Sequence, residues 1–367
     1  MKTLLISINS ISENTGGGLY LRSIANELYN ESGTVDLICK ESELDIRSKE
    51  AIRKVHCLKK NIFFDLLSRF FLVPCFLGAH LFKIIKIIKN GNYSSIHFHS
   101  SRTLPIAIIV KLLFKNNVCV HFDNIEYKLS LKITKRPIEL PLRIIDSILL
   151  YFYERKMVNF ISKVTFITLD DQKVIKPKII NSIFPIKIPI KLSLSTLDIV
   201  NERKKQENKK IIFVASFDHS PNFDAALQFI KIASLNLCFD FLIVGRNACK
   251  LKPFIENIPN LKIYSNISDD LLQTIYLTSH LVLCPVQDGG GMKTKIAEAM
   301  SYRLPVLCSP HSSIGYDAVL DKTDLIQVVD FNDCSSDITE MLKIYDDFNL
   351  IKRLECYYDL FKKNYSF

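Results

Sequence analysis

The residues best placed to do chemistry lie in Asp288-Gly-Gly-Gly-Met-Lys-Thr-Lys-Ile-Ala-Glu-Ala-Met300. Gly289, Gly290 and Gly291 let backbone N–H groups approach an anion closely, and a helix starting near Thr294 adds its positive dipole end to the same spot. Lys293 and Lys295 supply fixed positive charge there. Glu298, one turn on, can accept hydrogen bonds from a pair of sugar hydroxyls. Together with Asp288 and Met292, which flank the glycines, this set suits a nucleoside diphosphate and its ribose.

A second set is Asp123-Asn-Ile-Glu126, directly after the apolar run Val118-Cys-Val-His-Phe122. Open α/β sheets place ligands beyond the carboxyl ends of their strands, so Asp123, Asn124, Glu126 and the adjacent His121 are the candidates for proton handling in the first half. Side chains alternate along a strand, so His97 and His99 share one face, as do His121 and Asp123 if the strand reaches that far. No third ligand is spaced to complete a metal site with the histidines, and no metal is expected. Gly16-Gly-Gly18 follows the first apolar run and forms a third candidate loop.

These sets need strands and helices to hold them. Short apolar runs alternate with helical periodicity: strand Thr3 to Ile8, helix Leu19 to Tyr29, strands Val35 to Cys39, Ser95 to His99 and Val118 to Phe122, then a helix over Leu140 to Lys156. Pro177, Pro185 and Pro189 break regular structure, and the hydrophilic run Asn201 to Lys210 reads as a solvated linker. The rhythm restarts with strands Ile211 to Ser216, Phe239 to Val244, Leu261 to Tyr264, Leu281 to Pro285 and Leu304 to Cys308, and two helical patterns end the chain. The pattern predicts an α/β protein of two Rossmann-like domains, 1–200 and 208–345, followed by a helical segment, 346–367, that packs back on the first domain. A length of 367 residues favours two cores over one.

A net charge of +10 favours anionic partners, whether nucleotides, nucleic acid or an acidic membrane face. The basic run near Lys204 has no interleaved aromatic residues, which argues against nucleic acid. Ten cysteines without a C-x-x-C pair read as small buried residues in a reducing, cytoplasmic compartment. The start Met1 to Ile8 is too short for a secretion signal and reads as a strand. Phe70 to Phe82 is too short to span a bilayer, and with Lys83, Lys86 and Lys89 it suits an amphipathic helix on an acidic surface.

The order of motifs resembles the retaining glycosyltransferases of family 4, the glycosyl transferases group 1 with the GT-B fold. The resemblance rests on Pro285-x3-Gly289-Gly-Gly-Met-Lys-Thr-Lys-Ile-Ala-Glu-Ala-Met300 followed by Leu304-Pro-Val306. Phe213-Val-Ala-Ser, Pro221-Asn222-x-Asp224-Ala225, Ile243-Val-Gly-Arg246, Asp123-Asn-Ile-Glu126 and Gly16-Gly-Gly18 support it. The resemblance implies two domains facing each other across a cleft. A sugar then moves from a nucleoside-diphosphate sugar to an acceptor hydroxyl with retention, without a metal or other cofactor. Bacterial surface polysaccharide synthesis is the implied setting, and the basic, apolar region Phe70 to Lys89 points to a lipid-linked acceptor at the cytoplasmic membrane face.

Carried onto this chain, the resemblance implies that Glu298 binds the ribose. Lys293 and the backbone at Gly290, Gly291 and Met292 face the diphosphate and sugar, and Gly17 and Gly18 approach the leaving phosphate. Asp123, Asn124 and Glu126 lie near the acceptor or the transferred sugar, and which of His121 and Asp123 touches the sugar stays open. Two positions depart from the family pattern. Gly290 stands where a first acidic residue is common, which shifts hydroxyl recognition to backbone N–H groups or Asp288. Ala215-Ser-Phe-Asp-His-Ser220 lacks the usual arginine and lysine, so Lys293, with Lys295 or Arg246, must carry the phosphate charge. A nucleotide-sugar epimerase and a non-catalytic scaffold subunit are the alternatives on the same scaffold.

Overall fold

The computed structural model describes residues 2–13, 15–41, 51–132, 140–190 and 192–367. The chain forms two units, Met1–Lys187 with Phe367, and Ile188–Ser366. In the first, seven parallel strands, β1 (Thr3–Ser7), β2 (Val35–Lys40), β3 (Lys54–Leu58), β4 (Ser95–His99), β5 (Asn117–Phe122), β6 (Lys163–Phe166) and β7 (Ile180–Ile183), lie in the order β3-β2-β1-β4-β5-β6-β7. In the second, β8 (Lys210–Val214), β9 (Asp240–Gly245), β10 (Leu261–Ser265), β11 (Leu281–Cys284), β12 (Val306–Cys308) and β13 (Ile326–Val328) lie in the order β10-β9-β8-β11-β12-β13. Both sheets are doubly wound. Their winding reverses between β1 and β4 and between β8 and β11, where such sheets bind ligands.

Central strands are apolar because parallel sheets are covered on both faces. Leu4, Ile6, Ile96, Phe98, Val118, Val120, Val164 and Phe166 line one face of the first sheet and join its main core. The opposite face of the same strands carries Ser7, His99, His121 and Thr165, which the parallel register sets side by side. β3 escaped the sequence reading because Lys54 is exposed and His56 and Cys57 are only half-buried, which leaves a weak apolar run.

The first-strand glycines are not a loop. Gly16, Gly17 and Gly18 form the first turn of the helix Gly16–Ser32, capped by Thr15, whose hydroxyl accepts the Gly18 N–H at 3.2 Å. A Cβ on Gly18 would collide with the Glu13 carbonyl, so glycine is a packing requirement there.

The hydrophilic run from Asn201 is likewise not a solvated linker throughout. The helix Thr196–Lys204 buries Arg203 completely, and β8 begins at Lys210. Its guanidinium donates to the Tyr302 carbonyl at 2.6 Å, the Arg303 carbonyl at 2.9 Å and the Tyr345 hydroxyl at 3.3 Å. Those two carbonyls lie just past the helix Thr294–Ser301. A cation suits that negative end, and the charge is spread over hydrogen bonds that composition does not reveal. The helix Leu350–Tyr365 packs in the second unit, where the Tyr357 hydroxyl donates to the Leu304 carbonyl at 3.1 Å. Arg203→Ala leaves two buried carbonyls unpaired and opens a cavity. Urea unfolding should show the second unit destabilised by about 3 kcal/mol.

Candidate functional site

In the second unit, β11 runs into Pro285 and Val286, and the Val286 carbonyl accepts hydrogen bonds from the Ser309 and Ser312 hydroxyls. This ties the start of the glycine loop to the segment after β12. Gly289 and Gly291 sit at φ +105° and +66°, conformations that favour glycine, and the Gly289 carbonyl lies 2.9 Å from His311 Nε2. The helix Thr294–Ser301 follows with Lys293 at its cap position and no side-chain cap hydrogen bond. Tyr316 bridges this end, accepting the Ala297 N–H at 2.9 Å and donating to the Lys293 carbonyl at 2.8 Å. The Ile296 N–H donates to the Lys293 carbonyl at 3.0 Å, and the Thr294 and Lys295 N–H groups at the start of the helix adjoin the glycine loop, where an anion would lie.

The charged side chains are fixed separately. Lys293 folds back to donate to the Gly290 and Gly291 carbonyls at 3.2 and 3.3 Å. Burial pulls its ammonium down to about 8. Lys295 donates to Asn222 Oδ1 at 3.0 Å and lies 4.7 Å over the Phe213 ring, and burial lowers it as well. Asn222 in turn donates to the Ser216 carbonyl at 2.9 Å, which links the loop after β8 to the helix after β11. Glu298 Oε2 accepts from the Tyr276 hydroxyl at 3.2 Å, and Tyr276 stacks on Tyr302 at 4.6 Å. Arg246 is engaged elsewhere, 3.2 Å from Asp218, which also binds Lys250 at 2.7 Å and Asn247 at 2.8 Å. Lys293 and Lys295 are therefore the cations on the glycine-loop side, with Asp288 exposed at the loop's start. An open depression of about 660 Å³ along β10, beside Lys252 and Glu256, includes none of these residues.

In the first unit, Asp123 follows β5 and is buried, which pushes its carboxyl up to about 6 against the Ser100 hydroxyl and the Asn124 N–H. Glu126 is raised by burial and pairs with Arg102 at 2.8 Å. Glu154 anchors this turn. Its carboxylate accepts the Glu126 N–H at 3.0 Å, the Tyr127 N–H at 3.3 Å and the Ser101 hydroxyl at 2.5 Å, and burial pushes it up to about 8. Ser100 is held at φ +77° and ψ 138°, a conformation nearly restricted to glycine that costs about 1–3 kcal/mol. The Ser100 N–H donates to the His121 carbonyl at 2.9 Å, which helps to hold it there. Asn124 is half-buried beside these groups.

His121 occupies a deeper position than Asp123. Its Nδ1 lies 2.8 Å from Thr165 Oγ1 and its Nε2 lies 3.0 Å from His97 Nδ1, so both ring nitrogens are engaged. Cys119 stands in register with His97 and supplies the third ligand atom that the spacing of the histidines did not, within 4.8 Å of both. The two rings meet nitrogen to nitrogen at hydrogen-bond distance, their planes 19° apart, and burial lowers both histidines. Tyr276, Tyr316, Arg102, Glu154 and Cys119 were missed in the sequence. Each acts on a residue far away in the chain, and no local motif marks it.

Residues 208–347 match the family model described as glycosyl transferases group 1. The second unit carries a glycosyl transferases group 1 domain. Over the whole chain, the protein is similar in structure to sucrose-phosphate synthase from Thermosynechococcus elongatus (12% identity, 100% of this chain and 95% of that one, TM-score 0.72). It is similar to Anabaena HepE in complex with UDP (15% identity, 100% and 96% covered, TM-score 0.68). A lipopolysaccharide outer core galactosyltransferase, WaaB, is also similar (13% identity, 99% and 98% covered, TM-score 0.66). These likenesses show the fold, α/β with two Rossmann-like units as in GT-B glycosyltransferases. No curated protein matches the chain.

A diphosphate placed at this loop would lie beside the Lys293 ammonium. Pyrophosphate affinity, followed by calorimetry, should therefore fall as pH rises through about 8, where Lys293 loses its proton. Lys293→Ala should remove that pH dependence.

Proposed function

We propose that the protein is a retaining, metal-independent glycosyltransferase of family 4. It moves a sugar from a nucleoside-diphosphate sugar to an acceptor hydroxyl, in the synthesis of a bacterial surface polysaccharide. The observation that carries this reading is the open helix end behind the glycine loop, with Lys293 and Lys295 beside it and Glu298 one turn along, held by Tyr276. Anabaena HepE, whose fold is similar, is described with UDP and with UDP-glucose, which supports a nucleotide-sugar donor.

The bond from the anomeric carbon to the diphosphate oxygen breaks as the acceptor oxygen bonds to that carbon. Loop amides, the helix end and the lysines stabilise the negative charge on the leaving diphosphate. The acceptor proton passes to the departing phosphate oxygen, so no pair of carboxylates at glycosidase spacing is required. Glu298 accepts the ribose hydroxyls, and the backbone at Gly290, Gly291 and Met292, with Asp288, faces the sugar. Asp123, Asn124 and Glu126 serve the acceptor side.

A screen of nucleoside-diphosphate sugars with product mass analysis tests the reaction. Lys293→Ala and Glu298→Gln should each raise the donor KM about ten- to hundredfold, the loss of a hydrogen bond to a charged group. Turnover untouched by both would sink the assignment. Epimer formation without acceptor would make the protein an epimerase, and absence of nucleotide binding would make it a scaffold.

The acceptor in this reading is lipid-linked, presented at an anionic membrane face on the cytoplasmic side. The stretch singled out in the sequence supplies part of the surface that supports this, and the rest of it is core. Within Phe70 to Lys89, Val73, Phe76, Leu77, Ile84 and Ile88 are core residues. Phe70, Phe71, Leu72 and Phe82 of the same stretch are exposed, and further exposed apolar side chains sit on the helix Ile62–Phe70 at Phe63 and on the neighbouring helix at Ile144, Ile145 and Ile148. Arg69 joins the two helices through Asp146 at 2.7 Å and so removes acidic charge from that face. Among the described residues no helix is long and apolar enough to cross a membrane. Phe63→Glu with Phe70→Glu should abolish sedimentation with phosphatidylglycerol vesicles. Neutralising Lys83, Lys86 and Lys89 should weaken it by about 1 kcal/mol per charge. Binding indifferent to both sets would remove the membrane from the proposal.

A further inference from the structure

Ser7, His99 and Asp123 end or follow β1, β4 and β5, and they stand in line on the polar face of the first sheet, at the point where its winding reverses. Ser7 Oγ lies 2.8 Å from His99 Nδ1 and accepts the Asn9 N–H at 3.0 Å. The hydroxyl is wholly buried and has no other hydrogen-bond partner among the described residues. A serine hydroxyl has one hydrogen to give. If His99 donated to Ser7, that hydrogen would be left buried without an acceptor, so the Ser7 hydroxyl donates and Nδ1 accepts. Burial pulls His99 down to about 4, and the neutral ring must then carry its proton on Nε2. His99 Nε2 is buried without a hydrogen-bond partner, and Asp123 Oδ2 lies 3.7 Å from it.

We propose that Ser7 sets the tautomer of His99 and that His99, through Nε2–H, is the positioning residue of Asp123. The 3.7 Å gap closes by a small rotation of the carboxylate and becomes a hydrogen bond when Asp123 takes up its working orientation. Tyr20 packs edge-on against the imidazole at 5.5 Å and restricts the ring. The other groups around the line are Glu13 and Glu126, whose charge acts on His99, Arg102, which acts on Asp123, and the neutral His121 on the next strand. Ser100, held at positive φ between His99 and the next turn, puts its hydroxyl beside the same carboxylate. With this line in place, Asp123 presents one fixed oxygen to a substrate hydroxyl. That use of Asp123 rests on the transferase reading, whereas the hydrogen-bond order does not.

The test is nuclear magnetic resonance on the full chain without any sugar donor, with ¹⁵N-labelled histidine and ¹³C-labelled aspartate, and Asp123→Asn to assign the carboxyl. In the unsubstituted protein, His99 should show its proton on Nε2 at neutral pH, and Ser7→Ala should bring the two nitrogens toward equal shifts as both tautomers fill. At fixed pH the Asp123 carboxyl ¹³C resonance should shift in His99→Asn, which loses the donor near the Nε2 position. His99→Gln places an N–H near the position of Nε2 and should restore the resonance. A proton found on Nδ1, or an Asp123 carboxyl resonance unmoved in His99→Asn, would overturn the proposal. Either result leaves the transferase reading standing, and a failed donor screen leaves the tautomer result standing.

Discussion

A doubly wound parallel sheet reverses its winding between two neighbouring strands, and the loops that leave their carboxyl ends there separate and open a crevice. The glycine loop and the Ser7–His99 pair both lie at such points. In the second unit the point lies between β8 and β11, where Asn222, in the first turn of the helix after β8, accepts from Lys295 in the helix behind the glycine loop. In the first it lies between β1 and β4, where Ser7 meets His99. The constraint is geometric.

In the second unit the helix Thr294–Ser301 is held from both ends. It is short, and isolated helices of that length are unstable in water. Arg203 takes the carbonyls at one end, Tyr316 takes a single N–H at the other, and Tyr276 fixes Glu298 on its side. These partners hold the helix without filling the anion position. Lys293 and Lys295 are treated in the same way, each donating to neutral oxygens and not to carboxylates. A carboxylate partner would cancel the charge, as Asp218 does for Arg246.

Charge in the first unit follows a different rule. Asp123, Glu126 and Glu154 are buried close together, and burial raises all three. Arg102 offsets one of them by a direct pair, and backbone N–H groups offset another. Asp123 is left with the weakest set of partners, next to a strained Ser100 and an unpaired imidazole nitrogen.

The glycine loop, its two lysines and Glu298 were legible in the sequence because they are local, one strand–loop–helix segment whose spacing carries the chemistry. The alternation of apolar runs likewise determined two α/β halves. The sequence misled where burial depends on partners far along the chain. Arg203 looked like part of a solvated run, and Phe76 and Ile84 like part of an interfacial helix, until the fold placed carbonyls around one and a core around the others. That Arg246 pairs with Asp218 came only from the fold. His97, His99 and His121 could be assigned to faces by alternation, but their order across the sheet came only from strand register. Pairing brought β1 beside β4, ninety-two positions along the chain, and so gave His99 the hydroxyl that decides which of its nitrogens is free. Sequence spacing fixes what one element presents, and only tertiary structure decides which elements become neighbours, because hydrogen bonds and desolvation act through space.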